Sequence, residues 1–115
     1  IMLLKMSLPV QLVVITKQSQ LDKFYKKMGK PATAKMPPNG GAVAEWWDNP
    51  HGQHYELVIF GKLRRAEELG VIVHECTHVK QHVMESIGET SPSKEFEAYL
   101  MQSIFNEVFR KYYGK

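Results

Sequence analysis

The chain has one cysteine, Cys76. An intramolecular disulfide is therefore impossible, and a disulfide-stapled scaffold is excluded. Long apolar runs are also missing: none approaches the roughly 20 residues that a membrane-crossing helix requires. Ile1-Met2-Leu3-Leu4-Lys5-Met6 is apolar but short, and no small-residue cleavage site follows it, so it does not read as a signal peptide. No internal repeat and no low-complexity tract interrupts the sequence. These absences lead us to expect a reducing, cytoplasmic setting with no membrane partner. A formal charge of +3 comes from dispersed lysines, among them Lys23, Lys26, Lys27 and Lys30. They are not interleaved with aromatics in any nucleic-acid-binding pattern, so a solvated face is the simpler reading and no nucleic-acid partner is expected.

With 115 residues, 43% of them hydrophobic and 23% charged, the chain has material for one modest core. We expect a single domain, 1–115. Val10 to Thr16 is β-branched and apolar, which predicts a buried strand entered through Pro9. Leu21, Phe24, Tyr25 and Met28 recur at helical spacing, so a helix should open at Gln18 or Ser19 and stop at Gly29. Lys30 to Gly41, with three prolines and two glycines, reads as a loop. Ala42–Trp47 and Gln53–Phe60 read as strands joined through Asp48-Asn49-Pro50-His51-Gly52, which is dense in turn formers. In the second strand His54, Glu56, Val58 and Phe60 should share one face, with Tyr55, Leu57 and Ile59 on the other. A long helix is expected from near Arg64 past His82, closed by Gly88. Ser93 is a credible cap for a last helix reaching about Tyr113. The order strand, helix, strand, strand, helix, helix predicts an α+β fold, a small sheet against the long helix with the last helix alongside.

Inside that long helix lies Val71-Ile72-Val73-His74-Glu75-Cys76-Thr77-His78-Val79, which contains the pattern H-E-x-x-H. Residues i and i+4 share a helix face, so His74 and His78 can reach one metal ion together. Zinc suits such a pair because it accepts imidazole nitrogen in a tetrahedral site. Glu75 borders the same position and has the chemistry of a general base. A surface helix carrying these residues by coincidence is the plainer alternative. Against it stand the apolar neighbours, which bury this helix and make unpartnered polar groups costly.

A catalytic zinc site takes three protein ligands, and the last helix supplies the acidic run Glu95-Phe96-Glu97-Ala98-Tyr99. Helical phase puts Glu97 nearer the centre of the apolar stripe formed by Leu100, Met101, Ile104, Phe105 and Val108. His82 extends the row of His74 and His78, but it stands about 12 Å from His74 along the axis, so it reads as a polar neighbour. With these two motifs the chain resembles the gluzincin zinc metallopeptidases, in particular very small H-E-x-x-H proteins of the kind encoded by phages. The resemblance spans roughly His54 to Tyr113. It implies a minimal zincin-like core with Zn2+ on His74, His78 and Glu95, Glu97 being the alternative third ligand. It further implies peptide-bond hydrolysis of a peptide or protein substrate with Glu75 as base, and a phage protein acting in a bacterial cytoplasm. Tyr99 stands where many relatives carry aspartate or asparagine, leaving the group that orients the histidines open. Tyr99, Tyr112, Tyr113, His54 and His51 are candidate donors to the reacting carbonyl. The rival reading is a catalytically weak or inactive zincin-fold binding module with a retained metal site, using the 30–41 loop and Trp46-Trp47 as contact surfaces. A third treats zinc as purely structural.

Overall fold

The computed structural model describes residues 8–114, so the apolar opening stretch lies outside the described residues. The fold is α+β: a three-stranded mixed sheet with helices on both faces. The elements are β1 (Gln11–Ile15), α1 (Gln18–Lys27), β2 (Ala42–Asp48), β3 (His54–Phe60), a 3-10 turn at Arg65–Glu67, α2 (Glu68–Ser86) and α3 (Lys94–Tyr112). Among the described residues, no helix is long and apolar enough to cross a membrane.

β3 is the central strand. It pairs antiparallel with β2, Ala42 opposite Phe60 and Asp48 opposite His54, and parallel with β1, Gln11 opposite Tyr55. Strand alternation then sorts its side chains between two cores. Tyr55, Leu57 and Ile59 face α1, where they pack with Ile15, Leu21 and Phe24. Val58 and Phe60 face α2 and α3, packing with Ile72, Cys76, Val79, Val83, Leu100, Ile104 and Val108. Both faces of β3 are covered, so the strand is buried from Tyr55 to Phe60. The two faces follow the expected alternation, and α1 adds a layer on the far side of the sheet that the alternation alone does not specify.

Local chemistry sets the helix ends. At the start of α1 the Gln20 side-chain carbonyl accepts from the amides of Thr16 (2.8 Å) and Lys17 (3.1 Å). Ser93 Oγ accepts from the Phe96 amide at 3.1 Å, the expected cap of α3. Gly88, with φ +72°, takes the left-handed conformation that ends α2. The long helix starts later than expected, because Arg65–Glu67 forms a separate 3-10 turn ahead of it.

Gly61, just beyond β3, fixes the loop leading into β2. A Cβ there would lie 2.4 Å from the Pro38 carbonyl oxygen and 2.8 Å from that of Pro37. Only glycine lets the two backbones approach so closely. Hydrogen bonds close the seam: the Gly40 amide donates to Lys62 O and the Gly61 amide to Gly41 O, both 2.8 Å. The start of β2 is thereby clamped beside the first turns of α2.

Candidate functional site

α2 runs beside β2 with its N-terminal turns near the start of that strand. A cleft of about 420 Å³ opens between them. Gly40, Gly41 and Ala42 form one wall, and Gly70, Val71, His74 and Glu75 the other. The glycines keep the walls bare, so the two polar side chains dominate the surface offered to a ligand.

His74 Nε2 and His78 Nε2 lie 3.2 Å apart, with the rings steeply inclined to each other at 78°. Two nitrogens bound at 2.0–2.1 Å to a tetrahedral centre are roughly 3.3–3.4 Å apart. The pair therefore has the bite that zinc needs. Glu75 Oε2 is 4.0 Å from His74 Nε2, and its side chain is 6% exposed while that of His74 is 68% exposed. A carboxylate set into the wall of the cleft and an imidazole at its mouth thus address the same space. Beneath them Cys76 is fully buried, and burial with the nearby Glu75 charge pushes its thiol up to about 12.

The acids of α3 are not brought to this pair. Glu97 Oε1 accepts from Lys80 Nζ at 3.0 Å. At 100° per residue, Lys80 stands about 120° around α2 from His74 and about 160° from His78. α3 accordingly packs along the flank of α2 that faces away from the histidines. The helices are antiparallel, Lys80 meeting Glu97 and Glu68 meeting Tyr112. That register sets Glu95, exposed in the first turn of α3, one to two turns beyond His78 and on the wrong flank. Among the described residues no third His, Cys, Asp or Glu is grouped with the pair so as to hold a metal ion. Two imidazoles fit zinc; the acid expected from α3 does not join them.

The proposed donors are also dispersed. Tyr112 donates to Glu68 Oε2 at 3.0 Å, Tyr99 belongs to α3 and Tyr113 caps its C-terminal end. His54 is held through Nδ1 by Asp48, whose carboxyl lies below its usual range mainly through that hydrogen bond and a second from Trp46. His51 sits exposed in the β2–β3 turn. Trp46 and Trp47 are half-buried, Trp46 donating to Asp48 and Trp47 to Glu45.

Two histidines of α2 acquire side-chain partners not expected from the sequence. Gln81 Oε1 lies 3.0 Å from His78 Nδ1, and Glu56 Oε1 lies 2.6 Å from His82 Nδ1. The first contact spans three residues of one helix, a spacing visible in the sequence as H-x-x-Q. The second joins α2 to the sheet and depends on the fold. No protein family, no characterised protein and no solved structure matches this chain.

Proposed function

We propose that this protein is a zinc-dependent hydrolase of peptide bonds, built on a minimal zincin-like arrangement of H-E-x-x-H helix and small sheet. The supporting observation is the 3.2 Å approach of His74 Nε2 to His78 Nε2 beside the Glu75 carboxylate, at the mouth of a glycine-walled cleft. His74 and His78 would hold the metal. A zinc ion bound there lowers the pKa of a water molecule and polarises a carbonyl oxygen. Glu75, set into the cleft wall, accepts the proton of the attacking water and returns it to the departing amine. Among the described residues β2 pairs only with β3, which leaves its outer edge for an extended peptide beside the cleft. Among the described residues the protein ligands in this reading are the two imidazoles, the α3 acids lying on the other flank of α2.

Zinc content and cleavage of a broad peptide library, wild type against Glu75→Gln, test the proposal. Cleavage by the wild type that falls at least ~100-fold in the variant, at equal zinc content, supports it. Equal rates at full zinc loading end it.

One observation favours a second reading. Because α3 carries its acids on the far flank, the pair offers fewer protein ligands than a catalytic zinc site normally has. A binding module that uses the metal to clasp a ligating side chain of another protein would have this form. It predicts partner capture that requires His74 and His78 and survives Glu75→Gln.

A further inference from the structure

His78 engages both of its ring nitrogens. Nε2 faces His74 Nε2 at 3.2 Å, and Nδ1 lies 3.0 Å from Gln81 Oε1. An amide carbonyl oxygen only accepts, so the hydrogen in the second contact belongs to Nδ1. A neutral imidazole protonated at Nδ1 keeps a lone pair on Nε2, the form able to ligate a metal. The 3.2 Å contact between the two Nε2 atoms then needs its hydrogen from His74. The rings are therefore inequivalent: one already presents a lone pair towards its neighbour, while the other presents a hydrogen.

We infer that Gln81 is a positioning residue that holds His78 in the Nδ1–H tautomer and makes it the preset member of the pair. His74 is the adjustable member, whose hydrogen must leave Nε2 before both rings can grip one ion. The sequence resemblance supplied no group for this task, because Tyr99 stands where an acid or amide from the last helix is common. Gln81 supplies it from within α2, three residues after the histidine it orients. Residues at i and i+3 are neighbours on a helix surface, so this support does not depend on where α3 packs. The functional consequence rests on the zinc reading of the pair; the tautomer rests on the two contacts alone.

Long-range proton–nitrogen correlation spectra of the histidine rings, recorded on metal-free protein with neutral imidazoles, read the tautomer directly. Zinc affinity by competition with a chelating dye reads its consequence. The variants are Gln81→Leu, which removes the acceptor while keeping length and helix propensity, and Gln81→Glu, which keeps an acceptor. We expect Nδ1–H at His78 in the wild type and Gln81→Glu, and a shift towards Nε2–H in Gln81→Leu. Zinc affinity should fall about 10–100-fold in Gln81→Leu and be retained in Gln81→Glu, with unchanged melting temperatures. Nε2–H at His78 in the wild type overturns the inference, as does a Gln81→Leu protein that keeps the wild-type tautomer or binds zinc as tightly. A wild type that shows Nδ1–H but takes no zinc upholds the assignment to Gln81 and sinks the metal reading instead.

Discussion

Glu56 on β3 and His82 on α2 meet across the interface between sheet and helix, Oε1 to Nδ1 at 2.6 Å. Glu56 is fully buried, and its other oxygen, Oε2, has no hydrogen-bond partner. Among the described residues His82 is thus the hydrogen-bond partner that keeps this carboxyl from being stranded. His82→Ala should cost about 2–4 kcal/mol, because removing one member of a buried pair leaves the other uncompensated. Adding Glu56→Leu to that variant should recover most of the loss, since an apolar replacement removes the stranded group itself. Urea unfolding of the single and double variants measures both; equal stability of His82→Ala and wild type would contradict the pairing.

The same pair gives a pH dependence with a definite sign. Burial holds the Glu56 carboxyl above its usual range, and the His82 hydrogen bond opposes this. The folded protein keeps this proton to higher pH than the unfolded chain does. Its contribution to stability is therefore fully present below the ordinary glutamate pKa and is lost as pH rises through the raised one. Loss of the opposing hydrogen bond in His82→Ala should carry that decline to higher pH. Stability profiles of the two proteins from the acid side towards neutrality, compared by denaturant midpoint, provide the check.

Metal affinity separates the helix motif from the acid run. His74→Ala and His78→Ala should each weaken zinc binding by two orders of magnitude or more, since one imidazole cannot chelate. Glu95→Gln should change it less than about threefold, because Glu95 stands on the flank away from the pair. A loss of tenfold or more in Glu95→Gln would mean that α3 moves round α2 when metal binds.

Gly61 and Gly70 both border the cleft region and should respond oppositely to alanine. At Gly61 the new methyl would meet three backbone carbonyls, those of Pro37, Pro38 and Gly41, so the 37–41 loop must yield, at a cost of about 1–3 kcal/mol. At Gly70, inside α2, nothing lies within 4 Å of the added Cβ. Alanine there should stabilise by about 0.5–1 kcal/mol through helix propensity. Because Gly70 also lines the cleft, the stabilised variant should process peptides more slowly if the cleft is where they bind. Thermal melts and library cleavage measured side by side resolve the two effects.

Cys76 lies within the histidine motif yet should be chemically inert. With the thiol pushed up to about 12, almost no thiolate is present at neutral pH. Iodoacetamide should leave the native protein unmodified and label it rapidly in denaturant. Modification of native protein at the rate of a free thiol would show that the helix opens readily at this point.

Much of this architecture can be read from residue order, and what could not be read has physical causes. The alternation in β3 and the spacing of Leu21 and Phe24 report local periodicity, which the fold preserves. The side of the sheet that α1 covers and the parallel pairing of β1 are long-range outcomes that periodicity does not encode. At the site, His74, Glu75 and His78 come together because one turn of helix suffices to place them. Glu95 matches a motif, but a motif does not state which flank of α2 the second helix will cover. The phase of the apolar stripe was the better guide to α3: it put Glu97 towards the packed face, where Lys80 holds it. The Glu56–His82 contact joins positions far apart in the chain, and neither residue type announces the other.

β3 has partners of very unequal separation along the chain. β2 precedes it by a short turn, whereas β1 belongs to a much earlier segment, with α1 and the whole 28–41 loop between. Closing that loop carries an entropic toll that the hairpin escapes. The hairpin and the α2–α3 pair can therefore assemble early, with β1 docking last and peeling away first. Amide hydrogens of Gln11–Ile15 should then exchange with deuterium sooner than those bonding β3 to β2. The histidine helix would outlast this partial opening, staying folded while one side of its supporting sheet comes undone.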